Sequence, residues 1–123
     1  MKRLVLAATA VLAGASAFGA MAGPASQDSC FLTRDLRGHT VGADGRTLYL
    51  GVNGVDTYQV TTSDSCLAHM TGSDPIGIRD SGLGKICNPL DLELSARGGR
   101  CIITKLTKLT PIEASALPKR LQP

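Results

Sequence analysis

Four cysteines, Cys30, Cys66, Cys87 and Cys101, follow a segment built like an export signal, and together they limit what the rest of the chain can be. Lys2 and Arg3 make a short basic start. Residues 4–18 form an apolar run, and Ala20-Met21-Ala22 supplies small residues for cleavage. That order predicts a signal peptide over 1–22, cut after Ala22, with a soluble mature chain beyond it. The run is shorter than the ~20 apolar residues that span a bilayer. Gln27-Asp28-Ser29 ahead of Cys30 is no lipid-attachment box, so no stable membrane anchor is expected. The mature chain is expected in the periplasm or secreted, where an even set of cysteines pairs into disulfides.

Removing the signal changes the charge argument. The whole chain carries +3, but Lys2 and Arg3 leave, so 11 basic residues face 10 acidic ones, a net of +1. A nucleic-acid binder needs a concentrated basic excess, whereas here the signs alternate along the chain. Only Phe31, Tyr49 and Tyr58 remain as aromatics, and there is no Trp. Three rings are too few for a base-stacking platform. No nucleic-acid partner is expected.

From Cys30 onward the pattern is short β-type runs separated by Gly, Asp and Asn turns. Residues 23–29 read as a flexible leader, 30–117 as one β-rich domain and 118–123 as a tail. Residues 31–41 are the first expected strand, closed by a type I′ turn at Asp44-Gly45. Residues 47–52 alternate with Leu48, Leu50 and Val52 on one face. Asn53-Gly54 turns the chain into 56–62. A two-residue loop there would pair Leu50 with Thr57, whereas a loop through Val55 pairs Leu50 with Tyr58 and Leu48 with Val60. A one-residue slip flips a whole strand, so burial favours the longer, bulged loop. Residues 63–84 read as a long loop with a short strand at Ile76 and Ile78. Leu90, Leu92 and Leu94 suggest a half-buried strand, turned by Gly98-Gly99 so that Ala96 meets Cys101 and Leu94 meets Ile103. Thr110-Pro111-Ile112-Glu113 is a capping box with Pro at the first helical position, starting a short helix to about Leu117, where Pro118 stops it. The expected fold is mostly β: a small antiparallel sheet or partly closed barrel of five to six strands with a short C-terminal helix, stapled by disulfides.

The cysteines and their neighbours resemble those of a family of small exported proteobacterial proteins catalogued as domain of unknown function 6491. The features that carry the resemblance are Cys30 opening the domain, Asp44-Gly45-Arg46-Thr47-Leu48, Tyr58 ahead of Cys66-Leu67, and Ile86-Cys87 with Asp91 four residues on. Cys101 ahead of Lys105-Leu106-Thr107 and the tail from Leu109 to Leu117 complete it. Ala68-His69 departs from the small residues expected after Cys66. The resemblance implies export and four cysteines, and it brings no activity with it.

Chemistry can be searched residue by residue. Cys66-x-x-His69 offers two metal ligands, but a structural zinc site takes four, usually as two close pairs. The only other histidine, His39, lies in an expected strand level with Leu50. Asp44 and Asp56 read as turn residues rather than a spaced calcium loop. There is no Gly-x-Ser-x-Gly elbow, and a Cys66 nucleophile would have to stay reduced outside the cytoplasm. Asp91 and Glu93 sit two apart on a solvated strand face. Gly82-Leu83-Gly84 lacks the strand and helix that would make it a phosphate loop. Lys105, Lys108, Lys119 and Arg120 give a basic, solvated end. No catalytic residue, metal or cofactor is expected.

Disulfides remain as the positive expectation. The four cysteines allow three connectivities, and the hairpin at Gly98-Gly99 places Cys101 far from Cys87. The favoured pairs are Cys30–Cys101, joining first strand to last, and Cys66–Cys87, closing the long loop, each contributing roughly 3 to 4.5 kcal/mol by loop-closure entropy. The functional expectation is a non-enzymatic module binding an unidentified protein or envelope component. The alternatives are an inhibitor of an envelope-degrading hydrolase, presenting the loop between Cys66 and Cys87, or a small hydrolase using His39 and His69.

Overall fold

The structure is a computed structural model that describes residues 30–123; the expected signal peptide and leader lie outside the described residues. Nine short antiparallel strands and one short α-helix make up the described chain. They are β1 (Phe31–Leu32), β2 (Leu36–Val41), β3 (Thr47–Val52), β4 (Asp56–Thr62), β5 (Ile76–Asp80), β6 (Lys85–Ile86), β7 (Leu92–Ala96), β8 (Gly99–Cys101), β9 (Ile103–Lys108) and α1 (Pro111–Ala116). The main sheet has the order β2-β3-β4-β9, a second sheet is β5-β7-β8, and β1 pairs with β6 as a two-stranded ribbon.

The strand count exceeds the expected five to six because two expected strands are each broken in two and β6, after the Gly82–Gly84 turn, is an additional short strand. Residues 31–41 start in the ribbon with β6 and then cross to the main sheet. A 3-10 turn at Thr33–Asp35 makes that change of partner. The return strand from Cys101 breaks at Ile102, whose carbonyl accepts from the Ser63 amide at 2.9 Å. On one side of the break β8 pairs with β7, and on the other β9 pairs with β4. One kinked segment therefore joins the two larger sheets. The ladder does not close into a barrel. Between the free edges, β2 and β5, the links are the Thr33 hydroxyl donating to Asp80 (2.8 Å) and His39 Nε2 on the Asp74 carbonyl (3.0 Å).

The hairpin from β3 to β4 has the register that burial demands: Leu50 faces Tyr58 and Leu48 faces Val60. Asn53 and Gly54 both take positive φ, 55° and 72°, and the Val55 amide returns to the Val52 carbonyl. The other turns differ from expectation. Asp44 does not take positive φ. Only Gly45 does (69°), in a longer loop of residues 42–46 that the Asp44 carboxylate organises by accepting from the amides of Arg46 and Thr47, both at 3.0 Å. After β7 the turn sits at Arg97-Gly98, with φ 51° and 76°, rather than at Gly98-Gly99. The register therefore moves by two residues, pairing Leu94 with Cys101 and Ala96 with Gly99. A shift of two keeps every side chain on its face, so Cys101 still points into the core, 4 % exposed. Leu90 is not in the strand. Pro89 cannot donate to a ladder, and Asn88 and Asp91 cap a 3-10 turn, Pro89–Asp91, that holds Leu90 outward.

Both disulfides differ from the favoured pairing. Cys30 is joined to Cys87 and Cys66 to Cys101. The physical reason is the strand change at Thr33–Asp35. Because β1 belongs to the ribbon, Phe31 lies opposite Ile86, and Cys30 comes within 4.1 Å of Cys87 between Cα atoms. Cys66 is free to meet Cys101 because the residues after it are not a loose loop: Leu67 and Met70 are buried, and the Leu67 amide donates to the Gly45 carbonyl at 3.0 Å. Leu48, Leu50, Val60, Tyr58, Leu94 and Ile86 fill the single core with Cys101 and Phe31. Phe31 and Tyr58 pack at 4.6 Å between ring centroids. The capping box at Thr110 and Glu113 starts α1 as expected. The chain then returns over the outer side of the main sheet, where the Thr40 hydroxyl donates to the Leu121 carbonyl and Pro123 covers Gly51.

Gly45 shows how tightly this arrangement is set. A Cβ there would stand 2.8 Å from Cα of Ala68, and the backbone is left-handed as well. Gly54 has a similar φ but nothing within 4 Å of such a Cβ. Gly45→Ala is therefore expected to cost about 2–4 kcal/mol and Gly54→Ala only about 1 kcal/mol. Urea unfolding of the two variants measures the difference; equal costs would show that the Gly45–Ala68 approach is not tight.

Candidate functional site

The residues that sequence inspection marks for chemistry are spent on structure. Cys66 is in a disulfide, so it is neither a nucleophile nor a metal ligand. His69 holds a left-handed backbone (φ 63°), and its carbonyl accepts from Arg97 at 3.1 Å. Because the Asp74 carbonyl can only accept, Nε2 of His39 carries the proton in their 3.0 Å hydrogen bond. The Asp74 carboxyl lies below the ordinary carboxylate range, chiefly through the Thr71 amide at 2.6 Å. Among the described residues no three His, Cys, Asp or Glu side chains stand close enough to hold a metal ion.

The carboxylates organise turns. The Asp44 carboxyl is lowered by the Arg46 amide first, with the Thr47 hydroxyl and amide adding to it. Asp91 accepts from the amides of Cys87 (3.0 Å) and Asn88 (3.3 Å), so it does not share a face with Glu93. Glu93 instead pairs with Arg100 at 2.7 Å. Asp56 meets Lys108 at 3.7 Å. Burial, and then the Asp56 charge, raise the pKa of Tyr58, whose hydroxyl donates to the Cys30 carbonyl at 3.3 Å. Lys105, Lys119 and Arg120 remain exposed.

Large apolar side chains are exposed at Val55, Leu83, Leu90, Ile102 and Ile112, and the two most exposed both lie in the segment from Asp80 to Asp91. Gly82 and Gly84 take positive φ, 107° and 68°, and Leu83 between them is 84 % exposed. The turn is held from below by Asp80, whose carboxylate accepts from the Thr33 hydroxyl and the Gly82 amide, both at 2.8 Å. The Thr33 amide returns to the Gly84 carbonyl at 3.1 Å. A few residues on, past Cys87 and its bridge, Leu90 is 91 % exposed on its own capped turn, where the Asn88 side chain accepts from the Leu90 amide. Two large apolar side chains are thus held out on turns whose backbones are already fixed. Sequence inspection misses both. Leu83 sits in what looks like a phosphate-loop fragment, and Leu90 matches the alternation of Leu92 and Leu94. The available signals were Asp80 two residues before Gly82, and Asn88-Pro89 as a turn start.

The acid response of this segment follows from Asp80. The Thr33 hydroxyl first, then the amides of Gly82 and Gly84, hold its carboxyl below the ordinary range. A carboxyl with a lowered pKa in the folded state stabilises the fold above its unfolded pKa, about pH 4, and that contribution fades as pH falls through the lowered folded value. Asp80→Asn is expected to lower the melting temperature at pH 7, with the deficit shrinking as the pH falls from about 4 toward 2. Thermal unfolding across this range measures it; an equal deficit at both ends would contradict the assignment.

Among the described residues no helix is long and apolar enough to cross a membrane. The two disulfides indicate an oxidising environment outside the cytoplasm. No protein-family model, no curated protein and no solved structure matches the chain.

Proposed function

We propose that the protein is an exported, non-enzymatic binding module that recognises a protein or another envelope component, released into the periplasm or beyond by cleavage after Ala22. The observation that carries this reading is the pair of exposed leucines, Leu83 and Leu90, on turns locked by Asp80 and by the Asn88–Asp91 cap. Single exposed leucines are ordinary on a surface. Here the backbone beneath them is already ordered, so a partner that covers them loses little conformational freedom on binding. The engagement of Cys66, His39 and Asp91 in bridge, backbone bond and turn supports recognition over catalysis. The family resemblance in the cysteine order belongs to the same proposal and adds export.

A second reading, an inhibitor of an envelope-degrading hydrolase, is favoured by the Leu83 turn, which is narrow and held by Asp80. Immobilised mature protein and its Leu83→Asp/Leu90→Asp variant, exposed to envelope extract, test both readings. The expected result is a component retained by the wild type and reduced at least about ten-fold with the variant, as for a hot-spot contact. A hydrolase in the retained fraction selects the inhibitor reading. Retention by neither protein, or equally by both, overturns the proposal.

A further inference from the structure

The outer face of β5, β7 and β8 carries a polar cluster that neither leucine turn contributes to. The register sets Arg79 opposite Glu93 and Gly77 opposite Ser95, and then Ser95 opposite Arg100. Alternation fixes their direction: Leu94 and Cys101 are buried, so Glu93, Ser95 and Arg100 point outward. Arg100 Nη2 donates to Glu93 Oε1 at 2.7 Å, with 71 % of the Arg100 side chain exposed, which leaves its remaining donors free. Among the described residues, neither the Arg79 guanidinium nor the Ser95 hydroxyl has a hydrogen-bonding partner. Arg79, Glu93, Leu94, Ser95 and Arg100 line a hollow of about 300 Å³. Gly77 keeps the space clear, since a methyl group there would run into the Ser95 hydroxyl.

We propose that this hollow is a binding site for a phosphate-class oxyanion. Two guanidinium groups and one carboxylate line the hollow, leaving one positive charge that an anion neutralises; the Asp80 carboxylate, on the adjoining hollow with Arg79 and Glu93, is taken up by the Thr33 hydroxyl and the Gly82 amide. The guanidinium fork matches the spacing of phosphate oxygens and binds them through two parallel N–H groups. Arg79 and Arg100 hold the oxygens from either side, and the Ser95 hydroxyl donates to a third. Glu93 does not touch the anion; it holds Arg100 over the hollow. Ser95 accounts for the glycine opposite it, because any larger residue at position 77 would push the hydroxyl away. The proposal rests on the binding-module reading and names the chemistry of what is bound. That chemistry belongs both to soluble phosphates and to anionic phospholipid headgroups.

The test uses isotope-labelled mature protein, titrated with inorganic phosphate up to tens of millimolar at constant ionic strength. Vesicles of phosphatidylglycerol, with phosphatidylcholine as the control, form the second arm. The expected result is saturable shifts of the Gly77, Arg79, Ser95 and Arg100 amides. In Arg79→Gln the affinity should fall about five-fold or more, as a lost charge-assisted bond requires. Arg79 bonds no other group among the described residues, so this variant should melt like the wild type, and Arg79→Lys should recover part of the binding. Selective retention on phosphatidylglycerol, lost in Arg79→Gln, assigns the site to a lipid headgroup. Saturation by phosphate without vesicle retention assigns it to soluble phosphates. No saturable shift together with no vesicle preference overturns the site, as does equal affinity in Arg79→Gln. If envelope capture through Leu83 and Leu90 persists after such a failure, the oxyanion site is discarded and the binding-module reading stands.

Discussion

Replacing Cys66 and Cys101 together by alanine is expected to lower the unfolding free energy by about 4–5 kcal/mol. The bridge closes 35 residues, worth about 4 kcal/mol by loop-closure entropy. Cys101 is also a member of the core, so losing its sulfur leaves unfilled space beneath β8. The Cys30–Cys87 bridge closes 57 residues. On entropy alone it should matter more, by about 0.4 kcal/mol. Neither Cys30 nor Cys87 is in the core cluster, however, so their alanines leave no internal cavity. The order of the two double variants therefore decides which effect wins. Urea unfolding should find Cys66→Ala/Cys101→Ala the less stable; the reverse order would mean that chain entropy outweighs packing. A domain of this size has about a third or more of its ~5–15 kcal/mol stability at stake, so the variant lacking Cys66–Cys101 should be largely unfolded on modest warming.

The second large effect is expected at Leu48. Its side chain is wholly enclosed, with Val41 on one neighbouring strand and Val60 on the other. Strands on both sides prevent the backbone from collapsing into the space a truncation leaves. Leu48→Ala should therefore cost about 3–4 kcal/mol, in the upper part of the range for buried leucines. Leu83→Ala and Leu90→Ala remove the same atoms from exposed turns and should change stability by no more than about 0.5 kcal/mol. Denaturant midpoints for the three variants measure this contrast. A small loss at Leu48, or a large one at Leu83, would contradict the burial on which the functional reading depends.

These residues also show which parts of the fold can be read from sequence. The register of β3 against β4 was legible because Leu48, Leu50, Tyr58 and Val60 must share one buried face, and only one loop length achieves that. The start of α1 was legible because Thr110 and Glu113 complete a local hydrogen-bond pattern. The pairing of the cysteines was not. It depends on where a strand changes sheet, and no local pattern marks Thr33–Asp35 or Ile102 as a change of partner. The turn at Arg97-Gly98 was hidden because an arginine rarely takes positive φ, whereas the adjacent Gly98-Gly99 satisfies that need at once. The leucine turns were hidden for the opposite reason. An exposed leucine and a buried one look alike in sequence, and only the bonds of Asp80 and Asn88 beneath the turns distinguish them.

The pairing Cys30–Cys87 with Cys66–Cys101 holds this account together. It joins β1 to β6 across their ribbon and the Cys66 segment to β8, sets the base of the leucine turns, and leaves Cys66 without a free thiol. Digestion of the unreduced protein, followed by mass spectrometry of the linked peptides, tests it directly. The expected result is one species joining the Cys30 and Cys87 peptides and another joining those of Cys66 and Cys101. Linkage of Cys30 to Cys101 and of Cys66 to Cys87, or free thiols at any of the four positions, would contradict it.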